Sequence, residues 1–133
     1  MDYVKINGKS YDVIVTEISE SFTIMYSDNT VQTIGTGARM SLDPLGTAYG
    51  HTVTFKRSKD NFADFDNLFE EVSKPKIDGV PVEIVHGQTT ISYQAYISTG
   101  ERELKRIDRN TGKVYWNELS LEITPMEAQV IPV

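Results

Sequence analysis

Apolar and polar residues alternate with a period of two along most of this chain, and one segment departs from that rhythm. Thr52-Val53-Thr54-Phe55-Lys56-Arg57 alternates cleanly, as do Ile91, Tyr93, Ala95 and Ile97 against Thr90, Ser92, Gln94 and Ser98. Leu119, Leu121 and Ile123 do the same against Glu118, Ser120 and Glu122. Successive strand side chains point to opposite faces, so each run predicts a strand with one buried and one wet face. Within 60–73 the apolar residues Phe62, Phe65, Leu68, Phe69 and Val72 instead recur at spacings of three and four, the stripe of an amphipathic helix. Asp60 or Asn61 can cap it, and Lys74-Pro75 ends it because the proline ring cannot continue the hydrogen-bond ladder.

Turn chemistry places the other elements. Asn7-Gly8 lies between the β-rich runs 3–6 and 11–18 and predicts an opening hairpin, since both residues tolerate positive φ. Phe22, Ile24 and Tyr26 share a strand face, Ser27-Asp28-Asn29 turns, and 30–34 returns. Further strands are expected at 80–85, 90–98, 103–108 and 113–124, with turns at His86-Gly87, Thr99-Gly100 and Asn110-Thr111-Gly112, and an edge strand at 129–132. The expected fold is mainly β (α+β): one domain over 1–133, an antiparallel β-sandwich or barrel with one flanking α-helix. Periodicity disappears from 35 to 50, where four glycines and Asp43-Pro44 predict a long loop. Structureless loops beyond about 12 residues are usually functional or disordered. Met40, Leu42, Leu45 and Tyr49, with Arg39 beside them, make this one a candidate subunit interface that orders by docking; the alternative is a loop folded over its own core.

Composition narrows the function classes. A chain of 133 residues suits a single domain that buries about two thirds of its unfolded surface. Thirteen Lys and Arg against 19 Asp and Glu give a formal charge of −6, which opposes nonspecific binding to DNA or anionic membranes. Without cysteine there is no disulfide, thiolate zinc site or cysteine nucleophile. The N-terminus has no apolar signal core, and no run approaches the roughly 18 apolar residues of a membrane span, so a cytoplasmic protein is expected.

Short patterns that suggest chemistry read better as structure. Asp60, Asp64, Asp66, Asn67, Glu70 and Glu71 lack the loop glycine of a calcium site and suit a solvated helix face. Asn110-Thr111-Gly112-Lys113 lacks the first glycine and final hydroxyl of a phosphate loop, and Gly35-Thr36-Gly37 lacks the third glycine of a dinucleotide fingerprint. His51 and His86 are too few for a metal cluster and are expected at strand ends or on the surface. Glu118 and Glu122 share a strand face but suit the wet side of a sheet. Tyr115 and Trp116, as strand neighbours, are expected on opposite faces. No catalytic, cofactor-binding or metal residues are assigned, and no cofactor is expected.

The order of elements, a β-rich start with a long loop, the helix Phe62-Ala63-Asp64-Phe65-Asp66-Asn67-Leu68-Phe69-Glu70-Glu71-Val72 before Lys74-Pro75, and the closing run Val114-Tyr115-Trp116-Asn117-Glu118-Leu119-Ser120-Leu121-Glu122-Ile123-Thr124-Pro125, resembles the tail-tube-fold proteins of long-tailed bacteriophages, small prophage tail-associated proteins above all. The resemblance covers nearly the whole chain and rests on element order. It implies a structural, non-enzymatic virion protein that self-associates into rings, commonly hexameric, and contacts other phage tail proteins through extended loops. It also implies assembly in the host cytoplasm and residence in the virion tail. DNA would pass through an acidic lumen without specific binding, and no membrane is involved. Two other classes remain open: a small monomeric protein-binding or inhibitor module, and an enzyme on a lipocalin-like barrel, which needs a deep cavity with convergent polar groups.

Overall fold

The computed structural model describes residues 3–26, 31–32, 40–41, 43–59 and 61–131. In chain order the elements are β1 (Val4–Ile6), β2 (Val13–Tyr26), β3 (Val31–Gln32), β4 (Met40–Ser41), β5 (Pro44–Arg57), α1 (Phe62–Val72), β6 (Val80–His86), β7 (Thr89–Ile107) and β8 (Val114–Pro125). Six strands form one antiparallel sheet in the order β1-β6-β7-β8-β5-β2, and β3 pairs with β4 separately. The protein is therefore mainly β, with a single short helix among the described residues.

This sheet is curled rather than flat. Glu20 on β2 lies 2.7 Å from His86 on β6, although three strands separate β2 from β6 in the sheet order. The expected choice between sandwich and barrel thus resolves to one sheet rolled toward closure. Its concave face carries the alternating apolar residues of the strands, Val53, Phe55, Val82, Ile84, Ala95, Leu119, Leu121 and Ile123, all buried.

The helix lies across the mouth of this trough. Asn61 caps it, its side chain accepting from the Asp64 amide at 3.1 Å. Phe65 and Leu68 are buried on the trough, with Phe69 and Val72 packed beside them, as the three-and-four spacing requires. Each fully buried side chain of this size contributes about 1.5–3 kcal/mol. The N-terminal end is tied to the start of β2, where Asp64 accepts from the Asp12 amide at 2.7 Å and Asn61 donates to the Asp12 carboxylate at 2.8 Å. The other end is tied to the turn after β1, where Asn7 donates to Glu71 at 3.2 Å. One helix therefore spans the gap between the two outer strands.

Several expected boundaries move. The Asn7-Gly8 turn forms, with φ of 55° and 73°, but its hairpin stops after the Ile6–Lys9 bridge. β1 pairs with β6 instead, and β2 crosses to the far edge to pair with β5, where Val15 and Ile18 face the core. The expected pairing of 22–26 with 30–34 is likewise replaced, since 31–32 pairs with 40–41; the turn at 27–29, with 30 and 33–34 of the returning run, lies outside the described residues. The predicted loop at 35–50 is strand from Pro44 onward, continuous through Arg57. Residues 33–39, including Arg39, and Leu42 lie outside the described residues. Gly46, one of the glycines that suggested a loop, serves close approach instead. A methyl group on Gly46 would come within 2.7 Å of the Ala128 side chain and the Val130 carbonyl oxygen.

The turn predicted at Thr99-Gly100 is absent, because β7 runs unbroken from Thr89 to Ile107 with a bulge between Ile97 and Thr99. Gly100 is small because Leu121 lies against it, 2.8 Å from where a Cβ would stand. The edge strand foreseen at 129–132 reduces to a single bridge between Val130 and Thr47, with the Gln129 side chain bonded to both backbone groups of Tyr49. Pro132 lies outside the described residues.

Candidate functional site

Four polar side chains meet at the end of the trough opposite the helix. Each occupies an inward position on a strand whose neighbouring inward residues are apolar: Glu20 after Ile18, His51 before Val53, His86 after Ile84, and Tyr93 between Ile91 and Ala95. The period-two alternation that builds the core therefore also delivers these groups to one place.

The hydrogen-bond geometry assigns the protons. His51 Nε2 is 2.8 Å from Glu20 Oε2, a carboxylate oxygen that can only accept, so Nε2 carries hydrogen. His51 Nδ1 then accepts from the Tyr93 hydroxyl at 2.7 Å. His86 Nδ1 donates to the same Glu20 oxygen at 2.7 Å, and Tyr49 lies against the His86 ring at 4.7 Å between centroids. His51 is fully buried with both nitrogens engaged, and among the described residues no buried side-chain polar atom lacks a partner.

Burial and partners pull the protonation equilibria in opposite directions. Burial holds His51 below the ordinary imidazole range, and it outweighs the hydrogen bond and negative charge of Glu20, so the ring is neutral. Burial alone would raise Glu20, but hydrogen bonds from His86 and His51 together with their charges leave it lowered. Tyr93 is pushed up by burial and by the Glu20 charge, and stays protonated. The chain Tyr93–His51–Glu20 thus runs from neutral donor to carboxylate. Chemically it fixes a tautomer and ties four strands at one point; its solvent-facing members are Glu20 and His86, whose side chains are about a third exposed.

The reading of the two histidines as strand-end or surface residues holds for His86 but not for His51, which is buried. Among the described residues no group of three or more His, Cys, Asp or Glu is arranged to hold a metal ion. The remaining candidates disperse. Leu45 is exposed on β5, whereas Tyr49 is half-buried in its own domain. Met40 lies on β4 opposite Gln32. Glu118 and Glu122 are exposed on the wet face, as the alternation requires. Tyr115 and Trp116 do not face opposite sides. Tyr115 meets Phe62 of the helix edge-on at 5.4 Å, and Trp116 shares Arg102 with Phe69 of the same helix. Register shifts on either side of Leu104 break the alternation there.

A second polar assembly, unforeseen in the sequence, fastens this opposite end. The Arg57 guanidinium lies 4.7 Å from the Phe62 ring and 4.9 Å from Tyr115, whose ring also carries Arg106 at 4.0 Å. Arg102 lies between Phe69 at 3.7 Å and Trp116 at 4.3 Å and pairs with Asp66 at 3.0 Å. Cations and rings thus alternate between helix and sheet. Comparison with known proteins finds no matching family model, no matching curated protein and no matching solved structure.

Proposed function

We propose that this chain is a structural protein that assembles into a ring or tube, as a component of a long-tailed bacteriophage or prophage tail. The observation that carries this reading is the outer strand β2. It spans 14 residues at one end of the sheet order, paired among the described residues only with β5. Its distal part, Ser21-Phe22-Thr23-Ile24-Met25-Tyr26, has neither the lysine nor the proline that usually blunts an edge. Phe22 is 66% exposed, with Ile24, Tyr26 and Leu45 also exposed on the same β2–β5 ribbon. A long edge with uncovered apolar side chains suits strand-to-strand association, and a heterologous contact of that kind generates a ring when its rotation closes.

The convex face supports the same reading. Glu17, Thr54, Ser120 and Glu101 form one row across β2, β5, β8 and β7, and Ser19, Thr52, Glu122 and Thr99 form the next. An exposed face of hydroxyls and carboxylates offers a neighbouring subunit charged and hydrogen-bonding groups. The resemblance in element order adds the tail setting.

Light scattering across a concentration series, followed by electron microscopy, tests the proposal. Masses in multiples of 15.0 kDa and visible rings or tubes support it. A mass fixed at the monomer value throughout would overturn it in favour of a monomeric binding module. Replacing Phe22 and Ile24 by Lys should abolish assembly while leaving the thermal midpoint nearly unchanged, because both side chains are exposed.

A further inference from the structure

The charges of this acidic chain are strongly segregated. Segments 56–59 and 102–113 hold eight Lys and Arg but two carboxylates, a formal +6, leaving five cations against 17 carboxylates elsewhere, a formal −12. The two segments meet in space. Beyond the Phe55–Leu119 pair β5 and β8 are no longer paired, and a cleft of about 190 Å³ opens between them, lined by Lys56, Arg57, Lys105, Arg106, Tyr115 and Glu118 among others. Arg57 and Arg106 are held in place on the Tyr115 ring, so their charge is presented without the entropy cost of ordering a free side chain. Among the described residues none of these four cations has a carboxylate within ion-pair distance, and neither does Arg109 at the adjoining hairpin tip.

The opposite charge is equally unpaired. Glu17, Glu101 and Glu122 stand on the convex face among Ser and Thr, exposed, and none forms an ion pair among the described residues. Most carboxylates of the helix are already engaged, Asp64 with the Asp12 amide, Asp66 with Arg102, and Glu71 with Lys74 and Lys76. One chain therefore carries a cationic pole and a carboxylate face that do not satisfy each other.

We propose that the cationic cleft between β5 and β8 docks on the carboxylate face of a second copy of this chain, a head-to-tail contact directed by charge; it rests on the ring-forming reading. The charge distribution favours this occupant over a nucleic acid, because a long polyanion lying in the cleft would run on over a remainder of the chain that carries net −12, whereas a patch of carboxylates on a folded partner need not. The contact is heterologous, cleft to face, so every copy can give one and receive one. Its attraction falls as salt shortens the screening length, about 10 Å at 0.1 M.

Two charge reversals test it, both at exposed residues without contacts that hold the fold. Lys56→Glu/Lys105→Glu/Arg109→Glu removes the pole, and Glu17→Lys/Glu101→Lys/Glu122→Lys removes the face. Circular dichroism checks that each folds. The expected result is a fall in assembled mass in either variant at low salt, its recovery when the two are mixed, and a fall in the parent protein's assembled mass on added salt. If the parent assembles but neither reversal nor salt alters its mass, the charge contact is wrong while the ring-forming reading stands. If the parent stays monomeric at every concentration, both fall. Binding of a single-stranded oligonucleotide by the parent as a monomer, lost only in the pole variant, would assign the cleft to nucleic acid and overturn the proposal.

Discussion

The two ends of the trough are fastened by opposite kinds of polar chemistry. At the end away from the helix, Tyr93, His51 and Glu20 form a chain in which the central ring is fully buried, neutral and bonded at both nitrogens. At the helix end, Arg57, Arg102 and Arg106 lie on aromatic faces and keep their charge. A buried charge is costly unless fully paired, so the closed end uses a neutral imidazole. Guanidinium is weakly hydrated and stacks on rings, so it can bind an element at the surface without losing its charge. The difference predicts that the buried ring at the centre of the first fastening is intolerant of substitution and sensitive to acid, whereas the second fastening is more tolerant than that ring and insensitive to mild acid.

The largest effect should follow from His51→Ala, which leaves a cavity and strips Tyr93 and Glu20 of their partner; about 3–5 kcal/mol of stability should be lost in chemical denaturation. Its pH dependence has a definite sign. The folded-state pKa of His51 lies below the unfolded value of about 6.5, so its stabilisation is complete above that value and is lost as pH falls toward the folded pKa. Glu20, also lowered, adds a second loss as pH falls below about 4.3, its unfolded value. Stability measured from neutral to acid pH should therefore decline in two steps, and His51→Ala should remove the upper one. An unchanged upper step in that variant would locate the proton uptake elsewhere.

Arg102→Ala comes next, expected to cost about 1–2 kcal/mol for two ring contacts and a partly exposed ion pair, with the cost constant between neutral pH and pH 5 because guanidinium does not titrate there. A cost that vanished on acidification would contradict the contrast between the ends. Tyr93→Phe should lose about 1 kcal/mol or slightly more, since His51 Nδ1 is left without a donor. Nitrogen chemical shifts should report the Nε2–H tautomer in the parent protein; a protonated ring at neutral pH would refute the assignment. Smallest of all, His86→Ala should cost under about 1 kcal/mol, as the ring is a third exposed and water can replace its bond to Glu20.

How much of this was legible in the sequence depends on whether one segment carried the signal. The helix at 60–73 was readable because Phe62, Phe65, Leu68, Phe69 and Val72 announce their own period, and the buried faces of β5, β7 and β8 were readable from theirs. Residues 44–50 were not. Gly46 and Gly50 imitate a loop, while in space Gly46 admits the C-terminal segment. The first hairpin misled for a related reason: Asn7-Gly8 fixes a local turn, but which strand pairs next is decided by burial across the whole sheet. The hydrogen-bonded chain was hidden because Glu20, His51, His86 and Tyr93 sit on four different strands with no recurring spacing. One signal was present all the same. Each is a polar residue in an inward position of an apolar alternation, a pattern that marks a group needing a partner inside. The stacked arginines left no such trace, since register shifts near Leu104 decide where Tyr115 and Trp116 point.

The bond between Glu20 and His86 spans 66 positions of sequence, whereas β6, β7 and β8 succeed one another through short turns. Closing a long loop costs more chain entropy than closing a short one, and strands distant in sequence pair slowly. The three-stranded meander therefore has the means to form early, with β5 and then β2 added afterward and the Glu20 bond sealing the roll last. Mutations at Glu20 should accelerate unfolding and leave the refolding rate nearly untouched, making this bond a determinant of how long the native state lasts rather than of how quickly it is reached.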